Sequence, residues 1–473
     1  MKKLIINMLA MGVVVLSFPS CKKELNALPG QAKVEGNVIV DERSAQVALN
    51  GAYYRFAGVA ENFTTGLPST QWSWDHEIYP SSMAGSILYY QGPYIGAEND
   101  FTSESYETAG MWRTYYNLVN AANAVIKELG ALSTSKISET RKGEILAEAR
   151  FLRGYGHYAL LCYFGEFYNV GSKYGVLLRK EPVTVSNISQ SRSTVQESYD
   201  FILADIDDAI AHIKDGNPNY YASKWAAMAL KMRILMNRGA AGDYTEVISL
   251  ANNIIASGPY QLEADVKDIF KTKGLGSGEV ILGTKAYPNQ PSEMEVYYYR
   301  GRYQFYATDS LASYLKNDPR LDWVITVDHT NPYMPYTNAF SKYLGPQSET
   351  KYAFRLTEVY LLKAEAIVRS GGSLTDAKTI VKDVMSHAGV TDFSTIDNAT
   401  TADTLLIEIY KEIARNLVAE DGADWFALLR LPFETVKQIK PSIQNKFQYI
   451  LPIPKAEHDK NPAIGEQNPG YGW

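Results

Sequence analysis

The chain of 473 residues has only two cysteines, Cys21 and Cys162, so a disulfide framework is excluded as its source of stability. It has no CxxC and no Cys/His set at zinc spacing, and its histidines (His76, His157, His212, His329, His387, His458) are scattered. HExxH, GxSxG and the P-loop are missing as well. GLGSGE at Gly274–Glu279 is glycine-rich but lacks the dinucleotide spacing and precedes a strand-like stretch instead of following one. Excess charge is small: 46 basic against 52 acidic residues, a net −6, which argues against a nucleic-acid partner. Beyond the first twenty residues no apolar stretch approaches a membrane span. No cofactor, metal or nucleic acid is therefore expected. Carboxylate groups such as Asp207/Asp208 and Glu420/Asp421/Asp424 are raw material for a glycosidase. On helix faces or helix ends they read as solvated or capping groups.

The chain opens with Lys2 and Lys3, the apolar run Leu4–Phe18, then Pro19-Ser20-Cys21. A short basic region, an apolar stretch and a small residue before a cleavage point make a secretory signal peptide. The run is too short, and too soon followed by Lys22, Lys23 and Glu24, for a transmembrane span. Residues 1–20 are read as a lipoprotein signal peptide, and Cys21 as the lipidated first residue of the mature protein. Residues 21–40, with Pro, Gly, Asn and mixed charge, read as a tether, and the fold is expected over 41–473. Lipidation leaves Cys162, inside YALLCYF, without a partner, so it reads as a small core residue.

No linker-like composition break divides residues 41–473, so one unit is expected. Its patterning is helical. In Met111–Leu129, Trp112, Tyr115 or Tyr116, Val119, Ala122, Ile126 and Leu129 recur on one face. Glu144–Phe164 is apolar on one side. Val195–Ile213 turns Tyr199, Ile202, Ile206, Ala209 and Ile213 inward, with Ser193 or Thr194 as its cap. Ala222–Asn237, Tyr244–Ala256, Phe354–Ser370, Thr375–His387 and Thr404–Ala419 follow the same pattern. Short connections at Gly239–Asp243 and Gly371–Leu374 join four of these into pairs. The fold class is all-α dominated: a tetratricopeptide-like helix-pair scaffold with a few short strands, the first at Glu279–Thr284. Long irregular loop insertions are expected at about 62–102 and 274–340. Arg150 and Arg153 lie on a largely buried helix and need carboxylates, for which Glu358 and Glu365 are the candidates.

Aromatic side chains are what the sequence has in abundance, with 34 tyrosines and 7 tryptophans. Sugar rings present flat C–H faces edged with hydroxyls, which proteins bind by stacking rings on the face and hydrogen-bonding the rim. Both insertions hold that mixture. The first supplies Trp72, Trp74, Asp75, Tyr89, Tyr90 and Tyr94 as candidate ligand-binding residues. The second supplies Tyr297, Tyr299, Arg300, Tyr303, Trp323, Tyr333 and Tyr336. Trp72 and Trp74 alternate in one extended piece, and Tyr297–Tyr299 likewise, so about a third to a half of these aromatics are expected to be packing residues.

The C-terminal run Tyr449–Tyr471, YILPIPKAEHDKNPAIGEQNPGY, forbids a regular helix and specifies a fixed, turn-rich path. Such a path persists only if Leu451 and Ile453 dock. This order of residues resembles the C-terminal signature of the SusD/RagB family. Trp112-x-x-Tyr115-Tyr116 with Asn120 and Asn123, AEARFLRGYGHYALLCYFGE, and Phe354–Ala366 are similar to three of its helices, so the resemblance runs from about Trp112 to Tyr471. EDGADWFALLR at Glu420–Arg430 departs from the family pattern at Ala423-Asp424 and Ala427, which puts that corner's ion pairs in question. The resemblance implies an outer-membrane lipoprotein of Bacteroidetes, facing the cell exterior and held by its lipid. It would bind a nutrient, an oligosaccharide or polysaccharide fragment, for a SusC-like TonB-dependent transporter, without catalysis. A peptide-binding member of the same family and an α-helical glycoside hydrolase are the alternatives.

Overall fold

A capping box starts helix α1 (Glu42–Ala57), with Asp41 accepting the Ser44 N–H at 2.8 Å and Ser44 Oγ accepting that of Asp41 at 2.9 Å. The computed structural model describes residues 38–58, 69–71, 74–90, 98–285, 297–329 and 337–473. After α2 (Trp74–Met83) and strand β1 (Ile87–Tyr89) come α3 (Tyr106–Ala131), α4 (Glu139–Phe164), α5 (Val195–His212), α6 (Lys224–Arg238) and α7 (Asp243–Ser257). From α3 to α7 each helix packs on the next. Later in the chain α8 (Leu356–Arg369) packs on α7, and α9 (Leu374–Ser386) and α10 (Ala402–Leu417) pack on α8. The short α11 (Ala423–Leu429) closes the set against α10 and α2. This is the paired-helix scaffold that the periodicity predicts, because each amphipathic stripe is buried only by its neighbours.

Local chemistry sets the ends and the spacing of these helices. Thr194 caps α5, its hydroxyl accepting the Glu197 N–H while Glu197 accepts the Thr194 N–H at 2.8 Å. In the middle of α4, a Cβ on Gly154 would stand 2.7 Å from Ile206 Cδ1, and one on Gly156 2.8 Å from Val119 Cγ2. These two glycines let α5 and α3 approach α4 on its two sides.

Three corrections concern this scaffold. Helix α2 occupies part of the first insertion, and Trp74 is its first residue instead of part of an extended piece alternating with Trp72. Ile78, Tyr79 and Met83 are buried on α2, which is why the helix forms there despite Pro80. Arg150 and Arg153 find their carboxylates on the neighbouring α5, at Asp208 (2.6 Å) and Asp205 (2.7 Å). Glu358 instead holds Arg233 at 2.5 Å, and Glu365 holds Arg430 at 2.7 Å. The Glu420–Arg430 corner also keeps its polar ties. Asp421 pairs with Arg233, and buried Asp424 accepts the hydroxyls of Ser81 and Ser86 at 2.9 and 2.7 Å.

The described part of the second insertion carries short strands and short helices. β5 (Phe305–Ala307), β6 (Ile325–Val327) and β7 (Asn338–Phe340) join β1 in an antiparallel sheet of order β1-β5-β7-β6. β2 (Val280–Gly283) pairs with β8 (Tyr352–Arg355), and β3 (Tyr298–Tyr299) with β4 (Arg302–Tyr303). Their side chains form a second apolar cluster around Phe270, Tyr297, Phe305, Phe340 and Tyr343. Buried charges bolt it to the helices. Arg355 donates to Glu420 at 2.6 Å and to Glu279 at 3.1 Å, and Lys342 donates to Glu420 at 2.5 Å. Burial opposes the Arg355 charge, but Glu420 and Glu279 outweigh it and raise its pKa, whereas burial wins at Lys342 and lowers it to about 8.

The C-terminal path docks as expected, with Leu451 and Ile453 buried. Leu451 N–H donates to Tyr163 O at 2.6 Å, and Gln467 both accepts from Ile453 N–H and donates to its carbonyl, each at 2.8 Å. Asn468 donates to Phe164 O (3.0 Å) and Leu451 O (2.7 Å), which ties the segment to the end of α4.

Candidate functional site

The β3–β4 hairpin turns on Arg300-Gly301, with φ of +50° and +79°. Positive φ at both central residues is the type I′ geometry, whose twist matches the flanking strands. The register pairs Tyr298 with Tyr303 and Tyr299 with Arg302. Tyr298 and Tyr303 therefore share a face, with ring centroids 4.9 Å apart and planes at 73°. Tyr298 is 37 % exposed and Tyr303 half-buried. Burial, the Tyr298 ring and Asp328 raise the Tyr303 phenol above its ordinary range, against a hydrogen bond with Thr326.

β1 brings a second aromatic pair to the same end of the fold. Tyr90 N–H donates to Gln304 O at 2.8 Å, directly beside the hairpin. The half-buried Tyr89 and Tyr90 rings lie 4.7 Å apart, edge to face, and Tyr89 leans on Phe305 at 5.6 Å. Arg300 and Arg302 are exposed at the hairpin tip. Two tyrosine pairs, one on the hairpin and one at the end of β1, are thus brought together at Gln304, with two guanidinium groups exposed at the hairpin tip.

Two of the sequence candidates are packing residues instead. Tyr297 is fully buried; its hydroxyl donates to Glu77, Lys351 Nζ sits 3.0 Å from the same carboxylate, and its ring stacks on Tyr343 at 5.3 Å. Trp323 is buried and stacked on Phe270 at 5.5 Å, because the short helix carrying it turns its indole into the second cluster. Tyr298 takes the exposed place that the sequence reading gives to Tyr297. The signal was present in Arg300-Gly301: a two-residue turn there pairs Tyr298 with Tyr303. Trp74, Asp75 and Tyr299 are described in their backbone only, at the start of α2 and in β3. Cys21, Trp72, Tyr94, Tyr333 and Tyr336 lie outside the described residues.

The carboxylates considered for hydrolysis are engaged elsewhere. Asp207 pairs with Lys231 and Asp208 with Arg150, while Glu420 and Asp421 are buried in ion pairs. Among the described residues no group of His, Cys, Asp and Glu could hold a metal ion, and no helix is long and apolar enough to cross a membrane.

The scaffold that carries these aromatic pairs is that of a known family, as comparisons with known proteins show. A family described as starch-binding, associating with the outer membrane, matches residues 57–236, and the SusD family matches residues 333–442. The chain belongs to the SusD/RagB family. A SusD-like protein of Bacteroides ovatus is 22% identical over 188 residues, which span 38% of this chain and 33% of that relative. A SusD-like protein of Formosa agariphila is 23% identical over 434 residues, covering 79% of this chain and 83% of the relative. The fold is that of a SusD superfamily protein of Bacteroides thetaiotaomicron, with a TM-score of 0.75 at 23% identity over 91% of this chain and 100% of the other.

Proposed function

We propose that the protein captures a glycan at the outer membrane and delivers it, unmodified, to a SusC-like TonB-dependent transporter. One observation carries the reading. The hairpin presents the exposed Tyr298 with Tyr303 edge-on to it, beside Tyr89 and Tyr90, and such ring faces are the platform that a flat sugar face stacks on. Arg302, at the hairpin tip, supplies donors for rim hydroxyls. Candidates outside the described residues adjoin the same platform in sequence. Tyr94 follows Tyr90 closely, and Tyr333 and Tyr336 follow β6. The family described as starch-binding and associating with the outer membrane supports both the ligand class and the location. Lipidation at Cys21 would keep the platform at the membrane, and contact with a transporter makes hand-off intramolecular.

Calorimetry of the mature protein against a glycan panel tests this, with Tyr303→Ala and Trp72→Ala beside it. Binding of one glycan class without hydrolysis, weakened about ten-fold in Tyr303→Ala, is expected; that is about 1.4 kcal/mol. A glycan bound equally well by Tyr298→Ala/Tyr303→Ala would remove the platform from the mechanism. Silence across glycans with binding of extended peptides would move the ligand to the peptide class.

A further inference from the structure

Between α4 and α5 the chain runs as a strap, residues 176–193, and encloses with α5 an open cleft of about 810 Å³. Arg179, Lys180, Gln190, Arg192, Asp200 and Phe201 stand on its walls. The strap is fixed. Arg179 N–H donates to His157 Nε2 at 3.2 Å, and Asn123 donates to Arg179 O at 2.8 Å. Burial lowers His157 to about 3, so its ring is neutral and Nε2 remains an acceptor. Asn187 then closes the following turn, accepting Thr184 N–H at 2.7 Å and donating to Pro182 O at 2.9 Å.

The cleft carries three cations, Arg179, Lys180 and Arg192, and three carboxylates, Glu181, Glu197 and Asp200; what sets it apart is that two of the cations are withdrawn from solvent while all three carboxylates are exposed. The buried arginines of the described residues are Arg153, Arg179, Arg320, Arg355 and Arg415. All but Arg179 are ion-paired: with Asp205 (2.7 Å), Glu412 (2.6 Å), Glu420 (2.6 Å) and Glu412 (2.9 Å) respectively. Among the described residues Arg179 has no ion pair; its guanidinium donates to the main-chain oxygens of Asn187 (2.6 Å) and Ile188 (2.7 Å). Arg192, on the same wall, also meets only neutral oxygens, among them Gly175 O and Asn468 Oδ1, each at 2.8 Å. Burial lowers it to about 10. A buried guanidinium without a counter-charge, on the wall of an open cleft, has the electrostatic need for an anionic group, and the N–H groups not spent on Asn187 and Ile188 are donors for a carboxylate.

The rest of the wall narrows the class. Exposed Lys180 adds a second cation, 5.5 Å above the half-buried Phe201 ring. Glu181 on the strap and Glu197 and Asp200 on α5 are exposed; Glu197 is tied to Thr194, and together the three repel a compact polyanion while Asp200 accepts hydrogen bonds from hydroxyls. Gln190 adds an amide, and Phe201 an apolar wall. We propose that this cleft is a second binding site, for a carboxylate-bearing saccharide whose acid group pairs with Arg179 and Lys180 and whose hydroxyls meet Asp200 and Gln190. The site shares no residue with the tyrosine platform and stands or falls apart from it.

The test titrates trigalacturonate, and maltotriose as a neutral trisaccharide, into the mature protein and into Arg179→Lys, Lys180→Ala and Tyr303→Ala. Trigalacturonate is expected to bind, with about ten-fold weakening in Arg179→Lys and about three-fold in Lys180→Ala. Tyr303→Ala leaves that binding unchanged. Melting curves accompany each variant, and if Arg179→Lys has lost its fold the decision passes to Lys180→Ala. Three results overturn the proposal: no trigalacturonate binding at millimolar concentration, equal binding of maltotriose, or loss in Tyr303→Ala with the cleft variants unaffected. A tripeptide carboxylate bound more tightly than trigalacturonate would overturn the saccharide class.

Discussion

Glu148 gives the protein a stability that falls as pH rises. It lies buried on α4, where Tyr53 of α1 donates to its Oε2 at 2.7 Å and Tyr53 Oη in turn accepts the Ala222 N–H at 2.8 Å. Burial pushes the carboxyl from 4.5 up to about 7, against the pull of the Tyr53 hydrogen bond and of Arg141. The folded state therefore holds this proton where the unfolded chain has released it. With the folded pKa above the unfolded one, the contribution is fully present below pH 4.5 and is lost as pH rises through about 7. Evaluated between pH 5 and pH 8, the shift amounts to about 2 to 3 kcal/mol. Glu148→Gln keeps an acceptor for the Tyr53 hydroxyl and removes the titration. Denaturant unfolding of both proteins at pH 5 and pH 8 measures the effect, because the other titrating groups cancel in the difference. The wild type should lose about 2 to 3 kcal/mol relative to Glu148→Gln across that interval. A difference that is the same at both pH values refutes the reasoning.

Three further predictions concern packing and the C-terminal clasp. Asn468→Ala leaves the carbonyls of Phe164 and Leu451 short of a donor; a loss of about 1 to 3 kcal/mol in denaturant unfolding is expected. Gly156→Ala drives a Cβ against Val119 Cγ2, on a stiff β-branched side chain, at 2.8 Å, whereas Gly154→Ala meets the mobile end of Ile206 at 2.7 Å. The first should lower the melting temperature and the second much less, since helix propensity returns up to about 1 kcal/mol in both. Cys162 is buried and its thiol is pushed up to about 12, so it should resist alkylation at pH 8 in the folded protein and react on unfolding.

The helical scaffold was legible because its stripes are strong: from α3 to α10 the periodic segments named from sequence coincide with helices, apart from their ends. The family signature was legible too, since Leu451, Ile453, Gln467 and Asn468 each make the contact that a fixed path requires. Ion-pair partners were not. Arg153 and Glu358 both lie on buried helices, and composition alone cannot say that α5, not α8, is the helix packed on α4. Trp323 and Tyr297 show the matching limit for the site. An aromatic residue in a loop-like sequence reads the same whether it caps a core or awaits a ligand, and the deciding neighbours, Phe270 and Glu77, are remote in sequence.

The hairpin shows how a buried residue sets the orientation of an exposed one. Tyr297 is the root: its hydroxyl on Glu77 and its ring under Lys351, 4.9 Å away, fix the chain as it enters β3. Gln304 fixes the exit, donating its N–H to Tyr297 O at 2.9 Å and accepting the Tyr90 N–H at 2.8 Å. Between those two anchors the chain must reverse within a short hairpin, and it does so by holding Arg300, a residue with a Cβ, at φ +50°. That conformation costs about 1 to 2 kcal/mol, so the anchored root and exit must outweigh it. A glycine at position 300 would relieve the strain but remove a cation from the rim of the platform. The strain is thus coupled to the placement of Tyr298 and Tyr303, and a pair of rings held in this way loses little side-chain freedom when a ligand arrives. Modest contacts can then give useful affinity, as the proposed capture and delivery of a glycan requires.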